Sequence, residues 1–325
     1  MTEARDPLGL RRRFRRVRDG ETAASLAALL PPPSERALDP RGVATAWAEH
    51  PECDATCFAG IESLPRGRPL DVARAANLRE LLLAATTRLA TKPSPTAVAV
   101  SGGLDSALLL ALLRAAGVRD VQAYTASTGL PGYDERAEAE ATAQHFGHAL
   151  RVVTVTDADF VDALPSCVTA METSIYNLHP LERFFLARAV AADGHAALVT
   201  GDGADQVFAG APPAIFLPLL SALFQQAGIG LRSPFIDAHV VGHGLLAPPD
   251  PTKATLRALA RELGVPDFVL DRRKRVRLTP PMDLERYLAP TKLAPLACAL
   301  GRPLDFSSDR QRVQWASLGL LWERL

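Results

Sequence analysis

From Asp71 to Leu89 apolar residues recur at helical spacing: Val72, Ala75, Ala76, Leu78, Leu82, Leu83 and Leu89. The pattern predicts a half-buried helix. Pro93 and Pro95 then punctuate the chain, and the rhythm changes. Short apolar runs near 96–100, 121–126, 151–156 and 196–200 read as buried strands. Helical patterns fall between them, near 105–116, 134–147 and 180–193. Strands and helices alternating at this spacing predict parallel βαβ units and an α/β fold. After residue 211 the pattern is helical and broken by Pro212, Pro213, Pro248, Pro249, Pro251, Pro280 and Pro281. This part is expected to form a mostly helical layer over the crevice at the sheet's carboxyl edge.

Two of the strand runs end in glycine-rich turns. Ala97-Val98-Ala99-Val100 leads into Ser101-Gly102-Gly103-Leu104-Asp105-Ser106. Ala196-Ala197-Leu198-Val199-Thr200 leads into Gly201-Asp202-Gly203-Ala204-Asp205. Each reads as a buried strand, a tight turn and the start of a helix. At the carboxyl edge of one parallel sheet both turns would face one crevice, where α/β folds bind ligands. Gly102 and Gly103 let backbone N–H groups approach a phosphate, and the helix from Leu104 to Ala116 offers its positive N-terminus to the same anion. Asp105 and Asp205 stand one on each turn. A carboxylate beside a phosphate repels it unless a cation lies between them, so the pair points to Mg²⁺ on a nucleotide's phosphates. Either motif alone could be an ordinary strand–turn–helix connection, but each agrees with the other in type and spacing. No G-x-x-x-x-G-K-[ST] loop occurs.

These residues carry a family resemblance. Ser101–Ser106 resembles the PP-loop of the ATP pyrophosphatases. Gly201–Gly210, read G-D-G-A-D-Q-V-F-A-G, resembles the second signature of the asparagine synthetases. Three further matches follow in family order. Arg232-Ser233-Pro234-Phe235-Ile236-Asp237 is similar to R-x-P-F-L-D, and Lys253-Ala254-Thr255-Leu256-Arg257 to K-x-x-L-R. Arg272-Arg273-Lys274-Arg275 is similar to the R-x-K loop. The set spans about residues 75–285 and resembles the asparagine synthetase and β-lactam synthetase family.

The resemblance implies a parallel-sheet PP-loop domain of the adenine nucleotide α-hydrolase type, with a mostly helical C-terminal part. It implies ATP and Mg²⁺ as cofactors. A carboxylate attacks the α-phosphate, pyrophosphate leaves, and ammonia or an amine converts the acyl-adenylate to an amide. On this resemblance Val100, Ser101, Gly102, Gly103, Asp105, Ser106 and Gly201 bind ATP. Adenine stacks near the end of the second strand, between Tyr124 and Ser127, with Ala126 among the contacts. Asp105 and Asp205 hold Mg²⁺, and Lys274 neutralises pyrophosphate. Asp202 binds the attacking amine or acts as its base, with helix capping as the alternative. Asp237 either assists or caps a helix. For Lys274 the alternative is a solvated basic loop. Glu172 and the Gly129–Glu135 turn match more loosely, for acceptor binding or loop anchoring. Gln206 departs from the family, which has an acid after Asp205, so free aspartate is not expected to be handled in the standard way.

Residues 1–70 carry no nucleotide motif and are set apart from a synthetase domain over 71–325. They resemble the back half of the glutaminase domain of glutamine-dependent asparagine synthetases, through Asp6–Arg11, Ala24–Leu30, Phe58–Ile61 and Leu64–Gly67. No cysteine precedes Cys53, so the N-terminal thiol chemistry that releases ammonia from glutamine is not expected. Half of a sandwich leaves an uncovered apolar face and a sheet edge. A second copy of the chain, a separate polypeptide or a rearranged local fold is expected to cover them, with a self-contained cap as the alternative.

Composition narrows the choice further. The 325 residues are 48% apolar and 22% charged, with zero net charge, which gives no global sign of nucleic acid or membrane as partner. No apolar run is long enough to span a membrane and no N-terminal signal pattern occurs, so a cytoplasmic location is expected. Cys53, Cys57, Cys167 and Cys298 lack zinc-site spacing and read as isolated thiols. Six arginines in Arg11–Arg18 read as a charged, exposed sheet edge. Only Lys92, Lys253, Lys274 and Lys292 are lysines, so a lysine at a motif position is informative in this arginine-rich chain. The best reading is an amide ligase acting on a specialised small molecule or peptide, as in natural-product biosynthesis. A PP-loop enzyme acting on tRNA would bring paired cysteines or a basic RNA-binding domain. A degenerate partner subunit would have no need of Asp105, Asp205 and Lys274.

Overall fold

The computed structural model describes residues 4–49, 54–72, 77–89, 95–130, 132–272 and 282–325. The N-terminal segment builds a small antiparallel sheet from β1 (Phe14–Arg16), β2 (Thr22–Ala23) and β3 (Ile61–Ser63), ordered β2-β1-β3, with helix α1 (Pro40–Ala46) beside it. The arginine run does not form one charged edge. Arg15 pairs with Glu62, Arg16 with Asp19 and Glu21, and Arg12 turns inward to Glu172.

The main body follows with α2 (Leu78–Leu89), β4 (Thr96–Ala99), α3 (Leu104–Ala115), β5 (Val121–Ser127), α4 (Arg136–His145) and β6 (Leu150–Thr154). Then come α5 (Asp157–Met171), α6 (His179–Ala192), β7 (Ala197–Val199), α7 (Ala204–Phe208), α8 (Pro213–Gln226) and β8 (Gly230–Arg232). The C-terminal part is helical, with α9 (Ala238–Gly244), α10 (Ala254–Glu262), α11 (Asp267–Leu270), α12 (Pro290–Leu300) and α13 (Asp309–Arg324). Strands β4 to β8 form one parallel sheet, ordered β6-β5-β4-β7-β8. The α/β fold with a parallel sheet is therefore as the sequence predicts. Two elements were not legible. Strand β8 has three residues, too few for a visible period. Helix α5 carries Pro165 in its interior, which hid a capped helix whose Thr156 and Asp159 form a capping box.

Apolar residues occupy both phases of the central strands, so both faces of the sheet are buried. Ala97, Ala99, Tyr124, Ala126 and Leu198 join a core with α5, α6, α8, α12 and α13. Val98, Val100, Ala123 and Val199 join the opposite core with α2, α3, α4, α9 and α10. Helix α3 is buried from Ser106 to Leu113, in keeping with its unbroken apolar run.

The first core also takes in the N-terminal segment. Phe14, Leu26, Leu29, Val43, Phe58 and Ile61 pack in it with residues of α12 and α13. Trp47 meets Trp315 edge to face at 5.3 Å, and Phe58 stacks on Trp322 at 6.0 Å. The apolar face left open by the sequence reading is thus covered by the chain's own C-terminal helices. The seam is also polar. Glu172, at the left-handed C-cap of α5, accepts from Ser25 Oγ at 2.5 Å and from the Leu26 and Ala27 amides at 3.1 Å. Arg12 pairs with the same carboxylate at 3.2 Å. Glu172 therefore anchors a loop. Among the described residues no helix is long and apolar enough to cross a membrane.

Candidate active site

Strand β4 lies at the centre of the sheet. The chain runs from it through β5 to β6 on one side, and reaches β7 and β8 on the other. The switch point between β4 and β7 opens a crevice at the carboxyl ends of the strands. Both glycine-rich turns leave the sheet there, and they touch. A Cβ on Gly201 would lie 2.9 Å from Asp105 Cβ, 3.0 Å from Asp105 C and 3.1 Å from Ser106 N. Gly102 has φ +68, and a Cβ there would come within 2.5 Å of Glu138 Cβ. Both glycines are needed for close backbone approach. Replacing Gly201 with Ala is expected to leave the protein folded but to push the turns apart by a few tenths of an ångström. Misplacement at a reacting centre costs up to about 10² in rate. Turnover set against the melting temperature of the variant checks this, and unchanged turnover would show that the contact between the turns is dispensable.

Ser106 shapes the first turn from inside. Its hydroxyl donates to Gly103 O at 3.0 Å and accepts from Ser101 N at 3.2 Å, and Ser101 Oγ is 3.3 Å away. The loop is closed on itself before any ligand arrives, with Gly103 at the N-cap of α3. Val100 is buried, and its amide donates to Tyr124 O.

Asp105 and Asp205 converge from the two turns. Lys253 Nζ lies 2.7 and 2.6 Å from the Asp105 carboxylate oxygens and 2.7 Å from Asp205 Oδ1. Lys253 is buried, while the two carboxylates keep 25% and 29% of their side-chain exposure. Sequence reading placed Lys253 in a motif but gave it no role. Its backbone is left-handed, with φ 53 and ψ 41 at the N-cap of α10. Asp250 fixes that turn by accepting from the Thr252 amide and hydroxyl and from Ala254 N, and Lys253 N donates to Asp250 O. The Thr252 hydroxyl is the main cause holding the Asp250 carboxyl below its usual range. Two carboxylates meeting at one cation-sized point fit Mg²⁺, which takes one or two protein carboxylates and fills its shell with phosphate oxygens and water. No group of three or more His, Cys, Asp or Glu able to hold a metal occurs among the described residues.

Arg272 closes the other side of the first turn. It donates to Gly102 O at 3.4 Å and pairs with Glu135 at 3.3 Å and Glu138 at 3.0 Å, both at the start of α4. Lys274, with Arg273 and Arg275, lies outside the described residues. Arg272 thus fixes the point from which the chain continues to Lys274.

Asp202 does not cap a helix. The N-cap of α7 is Gly203, with no side-chain cap. Asp202 Oδ1 is 3.5 Å from Arg183 Nη2 of α6, while Asp202 Oδ2 and Arg183 Nε are buried without hydrogen-bond partners among the described residues. Asp237 does cap: it accepts from His239 N at the start of α9 and pairs with Arg88 of α2. In the segment expected near adenine, the Tyr124 side chain faces away into the core. Its ring is buried and its hydroxyl donates to Asp193 at 2.8 Å, beyond the C-terminal end of α6, so it presents no stacking face. Burial is the first cause raising its pKa. Ala126 stays near the carboxyl end of β5, where Asp134 ties the following turn through Ser127 Oγ at 2.5 Å and Gly129 N at 2.8 Å.

Residues 77–226 match the asparagine synthase family. Over that segment the chain is similar to asparagine synthases. The match runs from the start of α2 to the end of α8, so it holds both glycine-rich turns, Asp202, Asp205 and Arg183. Lys253 and Arg272 reach the asparagine synthetase-like site from beyond it. Asparagine synthetase B [glutamine-hydrolyzing] of Escherichia coli (strain K12) is 27% identical over 131 residues, which are 36% of this chain and 23% of that protein. The matched segment therefore spans about a quarter of that relative. The structure of NMN synthetase from Francisella tularensis aligns with a TM-score of 0.41 at 13% identity, covering 78% of this chain and 98% of that one. Lysine at a motif position in an arginine-rich chain was the one signal that could have drawn attention to Lys253. Arg272 was marked only as the first residue of the R-x-K match, and Arg183 carries no mark.

Proposed function

We propose that this protein is an ATP-dependent ligase that adenylates a carboxylate, releases pyrophosphate and passes the acyl group to ammonia or an amine. One observation carries the reading. Two phosphate-type turns of an asparagine synthetase-like domain meet at the sheet's switch point, with their aspartates on one cation position. The backbone amides of Ser101–Gly103 and the start of α3 suit the leaving pyrophosphate. Asp105 and Asp205 would hold Mg²⁺, which supplies charge neutralisation on the phosphates. Asp202, at the second turn, would take the proton of the attacking amine or hold that amine.

The carboxylate belongs to a specialised metabolite or peptide. Gln206 in place of an acid beside Asp205 supports this. Ammonia or an amine is the nitrogen donor. Among the described cysteines, Cys57 and Cys167 are buried thiols whose pKa burial raises, which suits packing and not nucleophilic attack on glutamine. Product analysis tests the reading. AMP and an amide labelled from ¹⁵N-ammonium support it. Amide formed from glutamine alone would refute the nitrogen assignment, and a product set of ADP and phosphate would refute the chemistry.

Lys274 enters as the cation for the departing pyrophosphate. Changing it to Met is expected to leave ATP affinity within a few-fold and to lower turnover by about 10² or more. Lys274→Arg should also be impaired, because a planar guanidinium does not replace a compact ammonium. Turnover and nucleotide affinity measured on both variants check this; normal turnover with Met would return the residue to a surface role.

A further inference from the structure

Lys253 stands where the metal of the proposed reaction would stand. Its ammonium touches both oxygens of Asp105 and one of Asp205, all within 2.7 Å. The two carboxylates belong to different turns that the Gly201 contact holds side by side, and Lys253 supplies the positive charge that both of them face. Lys253 reaches them from a left-handed backbone, a conformation unfavourable for a non-glycine residue. The Asp250 turn sustains that conformation, and the Asp250 amide ties the turn to Phe208 O of α7. Strain held by several bonds at a charged position is the kind that persists for function.

The electrostatic consequence is direct. Two carboxylates alone present two negative charges to a divalent cation, and with Lys253 between them the set presents one. Mg²⁺ also gives up water reluctantly. A bare ion must displace a buried ammonium whose partners among the described residues are these two carboxylates. A metal carried on a nucleotide brings phosphate oxygens, which can receive the ammonium as it leaves the carboxylates. The exchange is then between two satisfied arrangements. An ammonium is compact enough for this, whereas a guanidinium is a planar fork, which fits the choice of lysine in a chain that otherwise uses arginine.

We infer that Lys253 is a resident counter-ion that keeps divalent cations out of the Asp105–Asp205 position until they arrive on a nucleotide. The inference rests on the reading above that these aspartates hold the metal. Mn²⁺ binding to the full chain, followed by electron paramagnetic resonance with and without α,β-methylene-ATP, separates the two. Nucleotide-free wild type is expected to bind Mn²⁺ weakly, and the analogue to tighten it. Lys253→Met should bind Mn²⁺ without nucleotide about tenfold or more tightly than wild type, since a unit charge at contact distance is removed. Adding Asp205→Asn to that variant should abolish the gain. A misfolded variant would not show such a gain. Equal Mn²⁺ affinity of nucleotide-free wild type and Lys253→Met, with tight binding of both in the presence of the analogue, overturns the inference and leaves the metal reading standing. Wild type that binds Mn²⁺ equally well with and without the analogue overturns it without any variant. Mn²⁺ bound by neither form even with the analogue overturns the metal reading and the inference together.

Discussion

Asp105→Ala and Asp205→Ala are each expected to lower carboxylate-dependent AMP formation by about 10²–10³-fold while the protein stays folded. Each aspartate sits partly exposed on its own turn, and neither side chain belongs to a hydrophobic core. Removing one leaves Lys253 its other partner, so the single variants do not strand a buried charge. The double variant does strand it, and should melt well below either single one, because an unpaired buried ion is costly, at about 3–5 kcal/mol. AMP release measured by chromatography, set beside thermal melts of all three variants, checks both parts. Wild-type AMP formation by either single variant would show that the two-turn site is not where phosphate chemistry occurs.

Glu172→Ala is expected to produce the largest loss of stability of any single substitution at the seam between the N-terminal segment and the body. The carboxylate is buried, accepts from three donors of residues 25–27, and faces Arg12. Burial already holds the Arg12 guanidinium below its usual pKa, with Glu172 opposing that effect. Taking the carboxylate away leaves the largely buried Arg12 with the Met171 carbonyl but no counter-charge, and the Leu26 and Ala27 amides without their acceptor. The cost should be about 3–5 kcal/mol, a large share of the 5–15 kcal/mol typical of a whole domain. Glu172→Gln keeps an acceptor oxygen and should cost clearly less. Urea denaturation gives both values, and a change under about 1 kcal/mol for Glu172→Ala would mean that the anchor is not needed.

Much of the active-site frame was legible because its signals are local. An apolar run followed by S-G-G-x-D-S or G-D-G-A-D announces strand, turn and helix within ten residues, and β4, α3, β7 and α7 form there. What was not legible depends on distant partners. Lys253 lies 148 residues from Asp105, and only the fold brings them together. The cover for the N-terminal sheet comes from α13, at the far end of the chain, so sequence reading found an open face where Trp315 and Trp322 close it. The inward turn of Tyr124 likewise depends on a distant residue, since its hydroxyl donates to Asp193. Helix α5 was missed because Pro165 outweighed an otherwise regular apolar stripe of Phe160, Leu164, Cys167, Val168 and Met171.

The central claim is adenylation of a carboxylate at the junction of the two turns. Exchange of labelled pyrophosphate into ATP, run with Mg²⁺ across a panel of amino acids, peptides and other carboxylic acids, tests it most directly. The account expects exchange that depends on one class of acid, disappears without Mg²⁺, and is lost in Asp105→Ala. Turnover of ATP to ADP and phosphate with the acid that is consumed, and no label entering ATP, would contradict it.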